Sequence, residues 1–451
     1  MPINSNQEKE IVIIGLGYVG LTMAAHMASL GMNVLGIEVR DLVLTRLRDK
    51  RAFFYEPGLD HLLAQTINDG TLRFDSILLK SKLARVFIIT VGTPIDSEKL
   101  VLEESIVRVA NQVSMVMNDG DLVILRSTVK LNTTRELIKP ILDSSAKKYF
   151  LAFCPERTLE GAALVELGKL PQIVGGIDEE STKHAAEFFS LITSTVVKVS
   201  NTETAEMIKL VDNVQRDIRF AVSNEIADIC NSNNIKASEV IRLGKLGYAR
   251  TDLPFPGPVG GPCLEKDTYI LHESLHRKDS SPQIAITARK VNEEMVKKVA
   301  DFVTSWLANK ESLSENPKIA ILGIAFKGIP ETNDLRGAPS LVLFNSLKSD
   351  LSHSWVISLW DPVISQSEAK ESGFIFEKSL DDAVTAADCV ILANNHPQLT
   401  NLSLNRIGEL SGKNVLIYDM WGRFDQQRKF PTNVEYVSWG SHGFIKSGSF
   451  I

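Results

Sequence analysis

Cysteine is scarce in this sequence of 451 residues, and the four cysteines stand far apart. No two of them form a C-x-x-C pair, so the sequence indicates neither a disulfide framework nor a zinc knuckle. The eight histidines show no ligand spacing with acids or cysteines, and we expect no metal site. Isolated thiols are typical of proteins in a reducing compartment. The cysteines are Cys154, Cys230, Cys263 and Cys389.

Long hydrophobic runs and an excess of basic residues are also missing. No window approaches the roughly 20 apolar residues that span a bilayer. The first nine residues, 1–9, are polar and lack the hydrophobic core of a signal peptide. With 49 Lys and Arg against 55 Asp and Glu, the net charge is −6, which gives no case for nucleic acid or a membrane surface. We therefore expect a cytoplasmic protein with neither partner.

Short apolar runs alternate with longer amphipathic stretches through the first 200 residues. This alternation predicts strands separated by helices and indicates a doubly wound, mostly parallel sheet. The predicted strands lie at residues 11–14, 33–37, 86–91, 122–125, 149–153, 173–174 and 196–199. A second unit of the same kind begins near residue 317, with strands predicted at residues 318–322, 355–359, 389–392 and 415–418.

Between these units the pattern changes to two long helices, predicted at residues 202–230 and 284–307. We therefore predict an α/β fold in which two Rossmann-like doubly wound domains are joined by a central long-helix domain. The predicted apolar seam of the first long helix, at helical spacing, is Met207, Val211, Val214, Ile218 and Ala221. The predicted domain boundaries are 1–200, 201–310 and 311–451.

Three glycines lie between the first predicted strand and the helix after it, in the stretch IVIIGLGYVG. In such a loop Gly15 allows a tight turn, Gly17 lets the backbone approach a pyrophosphate, and Gly20 lets the helix pack closely on the sheet. Glu38 ends the next strand, where an acid accepts the ribose hydroxyls of NAD and repels the 2′-phosphate of NADP. The nearby Arg40 weakens that preference. The arrangement predicts NAD binding, the alternative being a glycine turn used only for packing.

A second loop rich in glycine and proline, GPVGGPCLEKD, spans residues 257–267. Its glycines let the backbone or a ligand come close, and its prolines stiffen the chain. Cys263 lies near Lys266 and Asp267, and a nearby cation favours the thiolate, which is the reactive form of cysteine. A small buried cysteine is the alternative interpretation, and the sequence supports the two about equally.

Other candidate site residues lie on a helix face and at strand ends. Lys209 and Asn213 are spaced i, i+4 and share a helix face that points away from the predicted seam. That face is either a solvated surface or a place to bind a substrate oxygen or a water. Thr128 and Glu156 follow predicted strands, at the edge of the sheet where open α/β folds bind ligands. Glu156 is therefore a candidate acid or base, although such residues also cap helices.

Taken in order along nearly the whole chain, these motifs resemble the UDP-sugar 6-dehydrogenase family, and most of all its N-acetylhexosamine branch. The resemblance implies an NAD-dependent oxidation of a C6 alcohol to a carboxylate. It favours UDP-N-acetylmannosamine or UDP-N-acetylglucosamine over UDP-glucose as substrate, and implies a homodimer through the central helices. The motifs are GLGYVG (15–20), VGTP (91–94), RSTV (126–129), CPER (154–157), EMIKLVDN (206–213), GGPCLEKD (260–267), AFKG (325–328) and NDLR (333–336).

The resemblance also implies roles in catalysis for individual residues. Cys263 would be the covalent nucleophile, and Asn213 would orient the substrate or a thioester oxygen. Lys209 and Asp267 would activate or hold a water and stabilise charge. Two further residues, Thr128 and Glu156, would handle protons.

The same resemblance implies binding roles. A loop at residues 250–261 would close over the sugar phosphate, and two residues of the last domain would contact the UDP. The implied cofactor-binding residues are Gly15, Gly17, Tyr18, Val19, Gly20, Glu38, Thr93, Thr128, Lys266 and Arg336. The implied substrate-binding residues are Glu156, Arg157, Lys209, Asn213, Arg250, Gly257, Gly260, Gly261 and Lys327. Of these, the residues expected to meet the UDP are Lys327 and Arg336.

The sequence departs from the family pattern in three places. The acid after the second strand is usually Asp and is Glu38 here. The Pro-Gly turn that usually follows RSTV is replaced by Lys130, Leu131 and Asn132, which leaves the shape of this loop open. A tyrosine usual before Arg-Asp is missing at residues 214–216.

Two rival interpretations remain. A one-step NAD-dependent hydroxy-acid dehydrogenase would not require Cys263 and would release one NADH per substrate. A binding protein without catalysis would have no chemical use for the cysteine together with Lys209, Asn213 and Asp267. The sequence does not separate the epimeric N-acetylhexosamines. The second α/β unit has only Gly323 in ILGIAFKG, which suits part of a nucleotide sugar better than a second dinucleotide.

Overall fold

The computed structural model describes residues 10–81, 83–275, 280–310, 317–350, 355–371, 373–427 and 429–442, so the polar stretch 1–9 lies outside the described residues. The strands are β1 (Glu10–Ile14), β2 (Asn33–Ile37), β3 (Leu72–Asp75), β4 (Ala84–Ile89), β5 (Asp121–Leu125), β6 (Tyr149–Phe153), β7 (Gln172–Gly176), β8 (Val196–Lys198), β9 (Lys318–Leu322), β10 (Val356–Trp360), β11 (Cys389–Leu392), β12 (Val415–Asp419) and β13 (Val434–Ser438).

Helices of very different lengths connect these strands. They are α1 (Tyr18–Ser29), α2 (Asp41–Arg48), α3 (Leu59–Asn68), α4 (Glu104–Val116), α5 (Lys139–Asp143), α6 (Ala163–Glu166), α7 (Glu179–Phe189), α8 (Thr202–Ser232), α9 (Ala237–Gly244), α10 (Gly261–Leu264), α11 (Asp267–Ser274), α12 (Gln283–Ala308), α13 (Pro339–Asp350), α14 (Gln366–Glu371), α15 (Leu380–Val384), α16 (Pro397–Thr400) and α17 (Leu404–Ser411). A π-helical turn covers Thr133–Ile138 and a 3₁₀ turn covers Ala249–Thr251.

The chain divides into two compact units. The first comprises Met1–Asn213 and Lys266–Pro282, and the second comprises Val214–Glu265 and Gln283–Ile451. Helix α8 therefore begins in the first unit and ends in the second. The boundaries placed near residues 200 and 310 by the sequence pattern stay a prediction. Within the described part of the chain, no helix has the length and apolar character needed to cross a membrane.

The first unit contains a sheet whose strands follow the order β3-β2-β1-β4-β5-β6-β7-β8. Neighbouring strands are parallel except β6 and β7, which pair antiparallel. Strands β1 and β5 are buried along their whole length, as expected for a sheet covered on both faces. Ile13 packs with α1, α3 and α7 on one face, and Val12 packs with α4 and α5 on the other. The predicted doubly wound, mostly parallel sheet is confirmed.

The second unit contains a parallel sheet with the order β10-β9-β11-β12-β13. Ile319 and Ile321 pack against the long helix α12 on one face, and Ala320 and Leu322 join the cluster on the other face. The predicted second α/β unit is thus confirmed. The sequence pattern misses β3 and β13, because each mixes buried apolar residues with polar or exposed ones.

The two long helices predicted between the sheets are confirmed as α8 and α12, and the predicted seam of α8 is buried only in part. Met207 and Val211 are 39% and 43% exposed, whereas Val214 and Ala221 are buried. Hydrophobicity marks the wrong face of the first turns because the buried face carries polar side chains that are paired inside the protein. These are Glu206, Asn213, Asp217 and Asn224.

Candidate active site

The glycine loop after β1 has the geometry that each of its glycines predicts. Gly15 has a φ of +94°, in the left-handed region that favours glycine. A Cβ on Gly20 would lie 2.0 Å from the carbonyl oxygen of Gly15, so α1 can approach the sheet only with glycine there. At Gly17 a Cβ would meet no described atom within 4 Å, which leaves the backbone N–H groups open to a pyrophosphate. The loop fits a dinucleotide.

The acid at the end of β2 is tied to this loop. Glu38 accepts a hydrogen bond of 3.1 Å from the backbone N–H of Leu16. Burial acts to raise the pKa of Glu38, but hydrogen bonds and the charge of Arg40 outweigh it and hold the pKa below its usual value. Glu38 is therefore an ionised acceptor at the place predicted for the ribose of NAD.

A buried glutamate that the sequence analysis does not single out joins the glycine loop to the loop after β6. Tyr18, the first residue of α1, donates its hydroxyl to Glu56. The backbone N–H of Gly161 donates to the Tyr18 hydroxyl at 2.6 Å and to Glu56 at 2.8 Å. Because one carboxylate holds both partners, the predicted cofactor residue Tyr18 and the loop CPERTLEG (154–161) form one polar cluster.

Five of the predicted site residues lie along one chain of polar contacts in the first unit. Asn213 on α8 donates to Asp267 Oδ2 at 2.5 Å. Asp267 Oδ1 lies 3.6 Å from Lys266 Nζ, which in turn lies 3.3 Å from Thr93 Oγ1. Thr93 donates to the carbonyl oxygen of Thr128 at 2.6 Å. Residues from four separate stretches of sequence are thus brought together.

Asp267 is the most buried member of this chain, at 1% exposure. Its Oδ1 has no hydrogen-bond partner among the described residues. Lys209 is half-buried and lies one turn before Asn213 on the same helix. The unsatisfied oxygen of Asp267 is therefore placed to accept a hydrogen bond from a bound group.

Glu156 is fully engaged by its own surroundings. Arg126 donates to it at 2.6 Å and 3.1 Å, and the backbone N–H groups of Arg157 and Thr158 donate at 2.7 Å and 2.8 Å. Burial acts to raise the pKa of Glu156, but the charge of Arg126 and these hydrogen bonds outweigh it and lower the pKa. The geometry suits an anchor for the loop better than a proton carrier. The Arg157 side chain pairs with Asp212 at 2.8 Å.

The loop in which Pro-Gly is replaced has a defined shape. Asn132 adopts a φ of +71°, a left-handed conformation that asparagine tolerates better than most residues. Lys130 bridges Glu103 at 2.9 Å and Glu273 at 2.7 Å. Asn132 thus adopts a conformation that favours glycine, and Lys130 fastens the loop to α11, the helix that begins with Asp267.

A second buried carboxylate, Glu206 on α8, caps the turn after this loop. It accepts the backbone N–H of Asn132 at 2.7 Å and both the N–H and the hydroxyl of Thr134, at 2.9 Å and 2.6 Å. Burial raises the pKa of Glu206 to about 7, against the opposing effect of these hydrogen bonds. Glu206 therefore titrates near neutral pH inside the first unit.

We expect Glu206 to make the stability of the protein depend on pH. The pKa of Glu206 in the folded protein lies above the ordinary value for a carboxyl group. The stability that Glu206 contributes is therefore fully present below the ordinary value and is lost as the pH rises to about 7. The free energy of unfolding of the wild type, relative to Glu206→Gln, should fall by at most about 1.4 kcal/mol per pH unit in this window. Urea unfolding at a series of pH values measures it.

The matched control is Glu203→Gln on the same helix. Burial acts to raise the pKa of Glu203, but its hydrogen bond with Arg135 contributes to a net lowering. Its contribution should therefore be lost as pH falls, the opposite sign. Parallel pH profiles for wild type and Glu206→Gln would contradict the prediction.

In the second unit, glycines let the cysteine loop pack closely on its neighbours. A Cβ on Gly257 would lie 2.6 Å from the Trp421 ring, and one on Gly260 would lie 2.2 Å from the carbonyl oxygen of Gly337. Gly261 has a φ of +92°. Cys263 follows on the short helix α10 and is exposed. The loop is thus held by close packing while its thiol faces outward.

A buried polar network that is not predicted from the sequence fixes the backbone of the same loop. Asn224 and Gly257 exchange two hydrogen bonds, of 2.9 Å and 3.0 Å. Arg289 donates to the carbonyl oxygens of Leu264 and Val259, each at 3.1 Å, and pairs with Asp217 at 2.9 Å. In the sequence, Arg289 is seen only as a charged residue of the stretch ARKVN within a predicted amphipathic helix. That pattern alone does not indicate a buried network.

Asn292, one turn further along α12, completes this network. It donates to Asp217 Oδ1 at 2.8 Å and accepts from Asn224 at 2.9 Å. The backbone on both sides of Cys263 is therefore fixed by side chains of α8 and α12. The structure does not group Arg250 with these residues: it lies in the turn Ala249–Thr251, over the ring of Tyr248.

The loop after β9 differs from the glycine loop after β1. Asp361, at the end of β10, accepts backbone N–H groups of Ile324 and Ala325 at 2.6 Å and 2.9 Å. It also accepts the N–H groups of Val363 and Ile364, so the carboxylate is satisfied by backbone groups of its own unit. These hydrogen bonds fix the shape of the loop after β9.

The two residues expected at the UDP flank this loop. Lys327 Nζ lies over the ring of Phe326, 5.3 Å from its centroid. Arg336 pairs with Asp334 and is exposed. Both residues belong to the second unit.

Comparison with known proteins gives three adjoining matches to one family, UDP-glucose/GDP-mannose dehydrogenase. Its NAD binding domain matches residues 9–193, its central domain matches residues 203–294 and its UDP binding domain matches residues 320–426.

Individual relatives match most of the chain. A UDP-N-acetyl-D-mannosamine dehydrogenase of Methanococcus vannielii is 30% identical over 429 residues, which cover 92% of this chain and 94% of the relative. The enzyme of that name from Escherichia coli is 29% identical over 404 residues, covering 86% and 94%. The solved structure of a UDP-D-ManNAc dehydrogenase from Pyrococcus horikoshii aligns with a TM-score of 0.84 at 28% identity, covering 96% of this chain and 99% of that one.

Proposed function

Because this chain belongs to the UDP-glucose/GDP-mannose dehydrogenase family, whose members are NAD-dependent oxidoreductases of nucleotide sugars, we propose that it oxidises the C6 alcohol of a UDP-N-acetylhexosamine to the uronate. UDP-N-acetylmannosamine is the favoured substrate and UDP-N-acetylglucosamine the next. The observation that carries the proposal is the contact chain from Asn213 through Asp267 and Lys266 to Thr93, beside a glycine loop that fits NAD.

The proposed reaction removes two hydrides from one carbon. NAD, when bound, accepts each hydride. Loss of a proton and a hydride from the alcohol gives an aldehyde, which the Cys263 thiolate attacks to form a carbon–sulfur bond and a thiohemiacetal. Loss of the second hydride gives a thioester. Water then breaks the carbon–sulfur bond, releasing the carboxylate and returning the thiol.

Each of the proposed catalytic residues has one task in this scheme. Asp267, which is buried and has one unsatisfied oxygen, takes protons from the alcohol and from the water. Lys209 stabilises the negative charge that develops on oxygen at the addition steps, and Asn213 orients that oxygen. Thr128 helps to handle protons. Glu156, which the structure shows paired with Arg126, contributes by fixing the loop after β6.

Counting NADH tests the proposal. The purified protein is incubated with excess NAD and a limiting amount of UDP-N-acetylmannosamine, UDP-N-acetylglucosamine or UDP-glucose, and NADH absorbance is followed to completion. We expect two NADH per sugar, fastest with UDP-N-acetylmannosamine, and a loss of at least about 10³-fold in the rate of uronate formation for Cys263→Ser. Cys230→Ser, at a buried thiol, is the matched control.

Each of the other outcomes favours a rival. If one NADH forms per sugar and Cys263→Ser leaves this yield unchanged, a one-step dehydrogenase is favoured and the covalent mechanism is wrong. Two NADH with UDP-glucose alone would keep the mechanism and replace the sugar. Binding of nucleotide without turnover would favour a protein that only binds. A thiol nucleophile must also stay reduced, which supports our proposal of a cytoplasmic location.

We also propose that the protein is a homodimer through α8. Four exposed apolar side chains, Met207, Val211, Val222 and Ile229, lie within about 60° of one another around the helix axis. A stripe of this kind along a long helix is typical of a helix–helix interface. A second copy of the chain is the proposed occupant.

Light scattering during gel filtration should show twice the mass of one chain for the wild type. Val211→Glu and Val222→Glu together should give a monomer, because two carboxylates would be buried without partners. Val165→Glu, at an exposed residue of α6, is the control and should leave the dimer intact. A monomeric wild type would contradict the proposal.

A further inference from the structure

The guanidinium of Arg40 covers the carboxylate that is expected to meet the cofactor ribose. Arg40 donates from Nε to Glu38 Oε1 at 3.0 Å and from Nη2 to Oε2 at 2.8 Å. The backbone N–H groups of Arg40 and Leu16 donate to the same two oxygens, at 3.0 Å and 3.1 Å. A carboxylate offers about four lone-pair positions. Glu38 therefore has donors for all of them within its own chain.

A bound ribose must replace part of this arrangement. The two backbone donors are fixed, whereas the Arg40 side chain is 50% exposed, so the guanidinium is the donor that can turn toward a bound group. When the side chain moves, its positive charge stays within reach of the 2′ position of the ribose. The charge of Glu38 is thus balanced, and the repulsion that usually excludes a 2′-phosphate is weakened.

Arg40 is also supported in a position suited to a phosphate. Its Cζ lies 4.8 Å from the centroid of the Phe53 ring, which holds the planar guanidinium beside the end of β2. A guanidinium binds phosphate oxygens with two parallel hydrogen bonds. Phe53 itself packs edge-on against Phe54, whose ring contacts Tyr18 at the start of α1. The support for Arg40 thus extends to the glycine loop.

We propose that Arg40 opens this dinucleotide site to NADP(H) as well as NAD(H), with Glu38 serving as its counter-ion when NADP is bound. Both cofactors occupy the same site and differ only in the 2′ group that Arg40 or Glu38 meets. The inference concerns cofactor choice and does not depend on which sugar is oxidised.

Binding of NADH and NADPH to the purified full chain, without sugar, tests this inference through nucleotide fluorescence. For the wild type we expect dissociation constants within about tenfold of each other, the result of balanced charge. Arg40→Gln should weaken NADPH about tenfold or more, the loss typical of a charge-assisted hydrogen bond, and leave NADH unchanged or tighter. Glu38→Gln should weaken NADH and favour NADPH. Arg48→Gln, an exposed arginine of α2, is the control for net charge.

Three outcomes would overturn the inference. In the first, the wild type binds NADPH at least about 100-fold more weakly than NADH. In the second, Arg40→Gln weakens the binding of both nucleotides equally. In the third, neither nucleotide binds. Failure of sugar oxidation in the NADH-counting experiment bears on the proposed function alone. The two hypotheses therefore fail separately, except that absence of binding to either nucleotide would overturn both.

Discussion

Asp267→Asn is expected to lower kcat by about 10²- to 10⁴-fold, the contribution typical of a general base, with KM nearly unchanged. Asparagine preserves the volume of the side chain and an oxygen that can accept the hydrogen bond from Asn213. It removes the charge and the ability to take up a proton. The chemical steps should therefore slow while binding and folding are kept.

Initial-rate kinetics with the substrate identified by NADH counting measure this effect, and thermal unfolding verifies the fold. Asp143→Asn is the matched control, because Asp143 also belongs to the first unit but pairs with Lys139 on the surface. It should change kcat less than about twofold, since exposed pairs contribute little. A kcat for Asp267→Asn within about threefold of the wild type would rule out Asp267 as the base.

Arg289→Met should destabilise the second unit by about 3–5 kcal/mol, because it leaves the charge of Asp217 buried without its partner. Arg289 is 2% exposed and Asp217 is 1% exposed. The substitution also removes the donor to the carbonyl oxygens of Val259 and Leu264. Since these residues flank Cys263, uronate formation should fall together with stability.

Urea unfolding of two further variants tests whether the loss of stability comes from breaking the Arg289–Asp217 pair. Lys298→Met, on the same helix, breaks an exposed pair with Asp228 and should cost only about 0–1 kcal/mol. Adding Asp217→Asn to Arg289→Met removes the unpaired charge and should recover part of the lost stability. If Arg289→Met unfolds at the same urea concentration as Lys298→Met, the buried pair does not hold the loop.

The sequence predicts well those features that depend on local spacing. The glycine loop is the clearest, because Gly15, Gly17 and Gly20 each have the backbone or the contact that their positions require. The alternation of strands and helices also predicts both sheets. These features are predictable because neighbouring residues alone fix them, through the periods of two and 3.6 residues and the glycine-rich turn.

Features that depend on pairing between distant residues are not predictable in this way. The buried face of α8 carries Asp217 and Asn224, which are polar and therefore indicate solvent until Arg289 and Asn292 are placed beside them. Glu56 gives no signal in the sequence, although it joins two loops of the predicted site. Burial of a polar group becomes favourable only once its partner is known.

The close packing of the cysteine loop on its own unit limits which segments can be exchanged between related proteins. Gly257 and Gly260 fit against Trp421 and Gly337, so the loop and the nucleotide-sugar half must be inherited as one piece. A chimaera joined inside α8 near Asn213 would keep the cysteine loop with the unit against which it packs, provided that α11 stays with the first half. The cofactor preference would remain with the other parent.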